Sequence, residues 1–201
     1  MADDSSQTII DLYRRHAQTW TTARGKTLME GAWIERFAAL LRPNARLLDI
    51  GCGSGEPIAR ALSGLGHAVT GVDSSPEMIA LFRANFPEAA SHVADMRRLK
   101  LGTTFDGIVA WDSFFHLAPD DQRAMFPIFR DHAVSGAPLM FTSGPSFGEA
   151  IGTLEGEPLY HASLDPQEYR QLLDQNDFDV VDHVREDPAC GNHTIWLARR
   201  R

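Results

Sequence analysis

Leu47-Leu48-Asp49-Ile50-Gly51-Cys52-Gly53-Ser54-Gly55-Glu56 is the stretch that decides the fold. From Arg46 onward, Leu47, Leu48 and Ile50 form a short apolar run bounded by turn residues, the pattern of a central strand in a parallel sheet. Glycines then alternate at 51, 53 and 55. Such a loop reaches positive φ and lets a ligand touch the backbone where a Cβ would clash. Pro57 is expected near the first turn of a helix, where its missing N–H does no harm. Ile58, Ala61, Leu62 and Leu65 follow at helical spacing.

A strand, a glycine loop and a helix serve two kinds of ligand, or form a tight turn that binds nothing. The dinucleotide fingerprint is G-x-G-x-x-G, with a pyrophosphate on the helix N-terminus. Here the spacing is G-x-G-x-G, and Glu56 stands where the third glycine would be. A carboxylate there repels a pyrophosphate. Asp49 points the same way, toward a ligand with positive charge as well as a sugar.

LLDIGCGSGEPI resembles the first motif of the class I S-adenosylmethionine (AdoMet)-dependent methyltransferases, an acidic residue, one spacer and G-x-G-x-G. AdoMet carries a sulfonium, an ammonium, a carboxylate and a ribose, and no phosphate. The resemblance implies that Asp49, Gly51, Cys52, Gly53 and Gly55 line its site.

His67 to Asp73 reads as the second strand. Asp73 closes it, placed to accept both ribose hydroxyls through its two oxygens. It equally suits a turn before the helix PEMIALFRANF, which Ser75 can cap. Ser74 adjoins it. Met78, one turn in, is either a flexible cover for the adenine or plain core. Ser91 to Asp95 reads as the third strand. Asp95-Met96 resembles the family's adenine step, in which an Asp takes the exocyclic amine and the next backbone N–H meets a ring nitrogen; a turn role suits Asp95 as well. Phe105 to Trp111 is the fourth strand, and its carboxyl end is where open α/β sheets bind ligands. The resemblance places Trp111 and Ser113 beside the cofactor. His116 resembles the histidine of many small-molecule members, a base for an acceptor hydroxyl or else a buried structural residue.

Two helices precede the first strand, over 7 to 20 and about 28 to 41, joined by TTARGK. Ser5 or Ser6 could cap the first. In the family such a prelude often folds over the cofactor as a lid. Tyr13, His16, Trp20, Arg24 and Trp33 are then lid candidates, with Arg24 for the cofactor carboxylate. Tyr13, Trp20 and Trp33 also suit a core.

A helix begins at Asp120-Asp121, with a kink or break expected at Pro127. The fifth strand, LMFTSG, leads into PSFGEAIGTLEGEPLYHAS, expected as a long loop shaping the acceptor pocket. Asp165-Pro166-Gln167-Glu168 opens a helix with good capping chemistry. Two strands joined by REDPACGNH form a final antiparallel hairpin. The expectation is therefore one α/β domain over residues 1–201, with a helical lid over 1–44 and a Rossmann-like core over 45–201. That core is a doubly wound, mostly parallel seven-stranded sheet with a C-terminal antiparallel hairpin and helices on both faces.

With 201 residues, one domain is the natural expectation. The 43% hydrophobic and 23% charged content suits a full core. A net charge of −8 repels nucleic-acid backbones. WDSFFH stands where many amino-group methylases of DNA and protein carry Asn/Asp-Pro-Pro-aromatic, a second argument against a macromolecular substrate. Cys52 and Cys190 show no metal or redox spacing, so no metal is expected and a reducing cytoplasm fits. MADDSSQTII lacks the basic start and apolar core of a signal peptide, and no run reaches the roughly 18 residues of a membrane span.

The function expected is AdoMet-dependent methylation of a small-molecule oxygen or nitrogen by in-line displacement. The alternatives are an NAD-dependent oxidoreductase and a non-catalytic AdoMet-binding domain. The acceptor stays open, as does the choice between monomer and homodimer.

Overall fold

The structure is a computed structural model and describes residues 5–201, with side chains from residue 8 onward. The expected cap at Ser5 or Ser6 lies outside the described side chains. Nine strands and six helices follow in the order α1 (Ser5–Arg24), α2 (Gly31–Ala38), β1 (Arg46–Ile50), α3 (Ile58–Gly64), β2 (Ala68–Asp73), α4 (Pro76–Asn85), β3 (Ser91–Val93), β4 (Gly107–Ala110), α5 (Pro119–His132), β5 (Pro138–Ser143), β6 (Gly148–Leu154), β7 (Glu157–Ser163), α6 (Pro166–Gln175), β8 (Phe178–Asp187) and β9 (His193–Arg200).

Seven strands form one sheet in the order β3-β2-β1-β4-β5-β9-β8. The first five pair in parallel; β9 lies antiparallel between β5 and β8. The order turns back on itself between β1 and β4, which is where a doubly wound sheet opens a ligand crevice.

Alternation along the strands sends side chains to two faces. Leu48, Ile50, Ile108, Phe141 and Trp196 pack on one face with Phe126, Phe129, Tyr169 and Leu173 of α5 and α6. Leu47, Val69, Val109, Met140 and Ile195 pack on the other with Trp33, Phe37, Leu62 and Phe82 of α2, α3 and α4. Both faces are covered, so the strands read as near-continuous apolar runs.

Pro57 sits one residue before α3, near its first turn as expected. Three expectations change. The second helix spans only Gly31–Ala38, because Glu30 before it is fully buried against Arg24 and the chain after it tightens into turns, with Leu40 N–H donating to Phe37 and Leu41 N–H to Ala38. The helix α5 runs unbroken through Pro127, since Met125, Phe126 and Phe129 are anchored in the core on either side of the missing N–H. The long connection after β5 is not an irregular loop but the hairpin β6–β7, closed at Glu155-Gly156 with positive φ at both residues.

The hairpin carries α1. Ile9 and Leu12 pack on Leu154, Leu159, Tyr160 and Ala162, partly covered by Tyr13 and Trp20. Two helical segments of α1 meet at His16, whose φ of −111° and ψ of 15° depart from helical values. His16 Nε2 lies 2.6 Å from Glu157 Oε1 on the hairpin, and Arg15 pairs with the same carboxylate. Among the described residues, no helix is long and apolar enough to cross a membrane.

The Phe141 ring is fully buried, stacked at 4° to the plane of Trp196 and edge-on to Phe114. Phe141→Ala is expected to lower stability by about 3–5 kcal/mol. Urea unfolding at constant m-value measures this, and a loss within the range of a surface substitution contradicts it.

Candidate functional site

The site is built around the Asp73 carboxylate at the end of β2. Its Oδ2 accepts from Gly53 N–H at 3.0 Å and its Oδ1 from Ser75 N–H at 2.9 Å. One side chain thus ties the glycine loop to the start of α4. The loop is held further by Gly51 and Cys52 N–H groups donating to Val72 C=O, at 2.7 and 3.0 Å. Burial pushes the Asp73 pKa up, against these donors, which hold it down. Ser75 caps α4, its Oγ accepting from Met78 N–H at 3.1 Å. Ser75, rather than Asp73, is therefore the cap of α4.

Gly51 has φ +76°, and a Cβ there would lie 2.2 Å from Ser113 Cβ. Ser113 in turn donates its hydroxyl to Ile50 C=O at 2.7 Å. At Gly53, φ +52°, an added Cβ would meet nothing closer than Met78 Sδ at 3.9 Å, so it would project into open cleft. The first glycine permits close packing, and the second keeps space clear.

Two adjoining clefts open over the loop. Tyr13, Asp73, Ser74, Met78, Asp95, Met96, Ser113 and His116 line the first. Arg24, Asp49, Cys52, Gly55 and Trp111 line the second. Trp20, Gly51, Gly53 and Asp112 line both. Every residue singled out for cofactor binding or catalysis therefore borders one cleft or the other. The two remaining lid candidates do not. Trp33 is in the core, donating Nε1–H to Asp187 Oδ2 at 2.8 Å, and His16 turns to Glu157.

Several of these side chains have partners that the sequence did not disclose. His116 is buried, with Nδ1–H donating to Tyr160 C=O at 2.7 Å and Nε2 accepting from the Tyr13 hydroxyl at 2.9 Å. Burial, opposed by the Tyr160 bond, brings its pKa down to about 4. His116 is thus neutral at pH 7. The Tyr13 hydroxyl is held protonated by its own burial and by the nearby Asp112 and Asp73 charges, which raise its pKa. Arg24 pairs with Glu30, a fully buried carboxylate that needs a cation beside it. Asp95 starts a short helical turn, accepting from Arg97 N–H at 3.0 Å, and its carboxylate pairs with the Arg97 guanidinium at 2.6 Å. Burial raises its pKa, but these bonds and the Arg97 charge together keep it below the ordinary carboxylate value.

Asp112 and His193 were not foreseen. Asp112 follows β4 with φ +47°, its N–H donating to Thr142 Oγ1 at 2.9 Å. Its Oδ1 lies 2.9 Å from His193 Nε2, at the start of β9. Trp111 stacks on the His193 ring, centroids 5.5 Å apart, and the buried Trp111 Nε1–H has no hydrogen-bond partner. The only signal for Asp112 was its place at the carboxyl end of a parallel strand; His193 lay in what read as a hairpin loop.

The crevice beside β1, the antiparallel β9 inside the sheet and the glycine loop together define a Rossmann-like class I methyltransferase fold. Residues 47–136 match the family described as "Methyltransferase domain". A sugar-nucleotide N,N-dimethyltransferase from Streptomyces fradiae, acting on dTDP-3-amino-3,6-dideoxy-alpha-D-glucopyranose, is 36% identical over 41% of this chain and 34% of its own length. A ubiquinone biosynthesis O-methyltransferase from Xanthomonas campestris is 34% identical over 43% of this chain and 38% of its own length. The matched part spans little more than a third of either relative.

Solved structures match over nearly the whole chain. An AdoMet-bound amino pentose methyltransferase from Micromonospora echinaspora superposes with TM-score 0.73 at 20% identity, over 92% of this chain and 97% of that one. A magnesium protoporphyrin IX methyltransferase from Synechocystis gives 0.75 at 17% identity, over 100% and 99%.

Asp49 supplies a test of the site's charge. It is buried, and burial, reinforced by the Asp73 charge, raises its pKa from 3.8 to about 7. The unfolded chain releases this proton first, so the protein loses stability as pH rises from about 4 through about 7. Asp49→Asn is expected to be near neutral for stability at pH 4 and stabilising at pH 8. Thermal unfolding at the two pH values checks this, and an equal effect at both contradicts it.

Proposed function

We propose that the chain binds AdoMet across the two clefts and transfers its methyl group to a small-molecule nucleophile. One observation carries the reading: the Asp73 carboxylate accepts from the glycine loop on Oδ2 (Gly53 N–H) and from the start of α4 on Oδ1 (Ser75 N–H), and each oxygen keeps a lone pair able to accept from a sugar hydroxyl. The rest of the lining fits the same ligand. Gly53 keeps room that a Cβ would fill, and the unpaired Trp111 Nε1–H is a buried donor awaiting an acceptor. Asp49 and Asp112 suit the cationic end of a ligand without phosphate. Glu56, which would oppose a pyrophosphate, pairs with Arg60 at 2.9 Å. These features favour AdoMet over a dinucleotide.

AdoMet supplies an electrophilic methyl group, so displacement needs alignment more than covalent help. Asp73 orients the ribose side. Asp95 and Met96 border the adenine side, with Arg97 fixing the Asp95 carboxylate. Arg24 keeps guanidinium donors beyond its bond to Glu30 for the cofactor carboxylate. Tyr13 and Trp20, on α1, cover the junction of the clefts, which supports a lid role for α1; α2 packs in the core instead of over the clefts, and the hairpin β6–β7 supports α1 from outside.

The acceptor favoured by the site is a neutral amine. An amine attacks with its own lone pair, and its proton leaves afterwards. A base with a pKa of about 4, its Nε2 already accepting from Tyr13, is poor at deprotonating an aliphatic hydroxyl. The Streptomyces and Micromonospora relatives, named for amino-sugar methylation, support this reading. An acidic hydroxyl acceptor is the second reading, with His116 as its base, because Tyr13, His116 and Tyr160 C=O form a continuous hydrogen-bonded chain. The net charge of −8 supports a small acceptor over a nucleic acid.

Titration calorimetry is expected to show AdoMet binding and no NAD binding, and Asp73→Ala to weaken AdoMet by more than about tenfold, the loss of a charged acceptor. NAD binding without AdoMet binding overturns the proposal. Radiolabelled methyl transfer over a panel of amino sugars, amines and phenols tests catalysis; AdoMet binding with no transfer at all favours a non-catalytic binding domain. His116→Asn is expected to stay within about tenfold of wild type on an amine, whereas on a phenol the loss of a base costs about 10²-fold or more.

A further inference from the structure

His116 lines the site and His193 stands behind it, and their partners differ. His116 has one acceptor partner and one donor partner, so it is neutral. His193 Nδ1–H donates to Cys190 C=O at 2.7 Å, and Nε2 lies at ion-pair distance, 2.9 Å, from Asp112 Oδ1. With Nδ1–H committed to the carbonyl, an ionised Asp112 this close to Nε2 favours the imidazolium. Asp112 itself lies where the two clefts join, shared by both.

Resting on the AdoMet reading above, we propose that His193 is a positioning residue that holds the Asp112 carboxylate at the junction of the clefts, where it serves as the counter-charge for the cofactor's sulfonium. Asp112 is thereby the residue that separates AdoMet, a sulfonium, from its uncharged thioether product, S-adenosylhomocysteine.

The surroundings support a cation at 193. The Asp112 carboxylate raises the His193 pKa against the opposing effect of burial, and Glu30 adds to the rise. Arg24, from the end of α1, offsets part of the Glu30 charge through their ion pair. Cys190, in the turn before β9, faces the ring through its carbonyl, while burial raises its thiol pKa to about 12. Asp187, which starts that turn, is taken up by the Trp33 indole and by Ala189 N–H. Stacking on Trp111 fixes the plane of the ring. When His193 loses its charge, the ion pair across 2.9 Å is lost and the Asp112 carboxylate is no longer held by it. Linkage then demands reciprocity: if protonated His193 favours AdoMet, AdoMet must raise the His193 pKa. A cation that merely sat nearby would lower it.

Two measurements test this on the full chain. In calorimetry, Asp112→Asn is expected to weaken AdoMet on the order of tenfold while leaving S-adenosylhomocysteine within about twofold. His193→Phe is expected to do the same, and the double variant to lose little more than either single one. Equal losses for the two ligands, or additive losses, overturn the assignment. In the wild type, NMR titration of the His193 ring is expected to give a pKa above the ordinary value, rising further on adding AdoMet and unchanged by S-adenosylhomocysteine; a fall on adding AdoMet overturns it. This second measurement stands even where the variants fail to fold. Absence of AdoMet binding to the wild type refutes the proposed function, whereas intact binding with an unresponsive His193 refutes this inference alone.

Discussion

The site depends on one carboxylate. Asp73 accepts the backbone N–H groups of Gly53 and Ser75 and so joins the end of β2 to the loop after β1 and to the first turn of α4. Burial makes the carboxylate costly to keep ionised, and the donors around it offset that cost. The same arrangement satisfies donors that would otherwise be orphaned at a helix start and in a tight loop. Gly51 closes the assembly by letting Ser113, from beyond β4, come to rest directly over β1. Strands β1, β2 and β4 thus meet at one point because a carboxylate and a missing Cβ allow it.

Around that point the polar groups divide by the surfaces that bring them in. Helix α1 contributes Tyr13, whose hydroxyl caps a neutral His116; the C-terminal strand contributes His193, whose pKa is raised by Asp112 2.9 Å away. Neither ring's protonation follows from the residue type. Each follows from whether its second nitrogen meets a hydroxyl or a carboxylate. The His116 side of the clefts is therefore weakly basic, and behind Asp112 an imidazole of raised pKa stands against a carboxylate.

The cover over the clefts is held by packing rather than by charge. Ile9 and Leu12 bury against the hairpin, while the Arg15 and His16 contacts with Glu157 lie at its partly exposed edge, where ion pairs contribute little. The junction of the two segments of α1 at His16 marks where the helix leaves the hairpin and turns toward Trp20 and the loop. Tyr160 belongs to both systems, its ring in the core between α1 and the hairpin and its carbonyl on His116, so the seating of α1 and the orientation of His116 are mechanically joined.

The sequence by itself determined the parts whose causes are local. Apolar runs of strand length, the G-x-G-x-G spacing, acids at strand ends and the closing hairpin were enough to specify the doubly wound sheet and to collect Asp49, Asp73, Asp95, Trp111, Ser113 and His116 along one edge. These signals are legible because period, φ preference and chain direction act over a few residues. Tertiary structure decided the rest. GEAIGTL, with two glycines and a largely exposed surface, gave no strand pattern, and pairing with β7 together with the packing of α1 on the hairpin made it one. Pro127 stayed helical because distant aromatics fix its neighbours. Arg24 was committed to Glu30, and His193 was carried 81 positions along the chain to Asp112, by folding alone. Ion pairs and ring protonation depend on which groups are brought within about 3–4 Å after burial removes water, and separation in sequence holds no record of that distance.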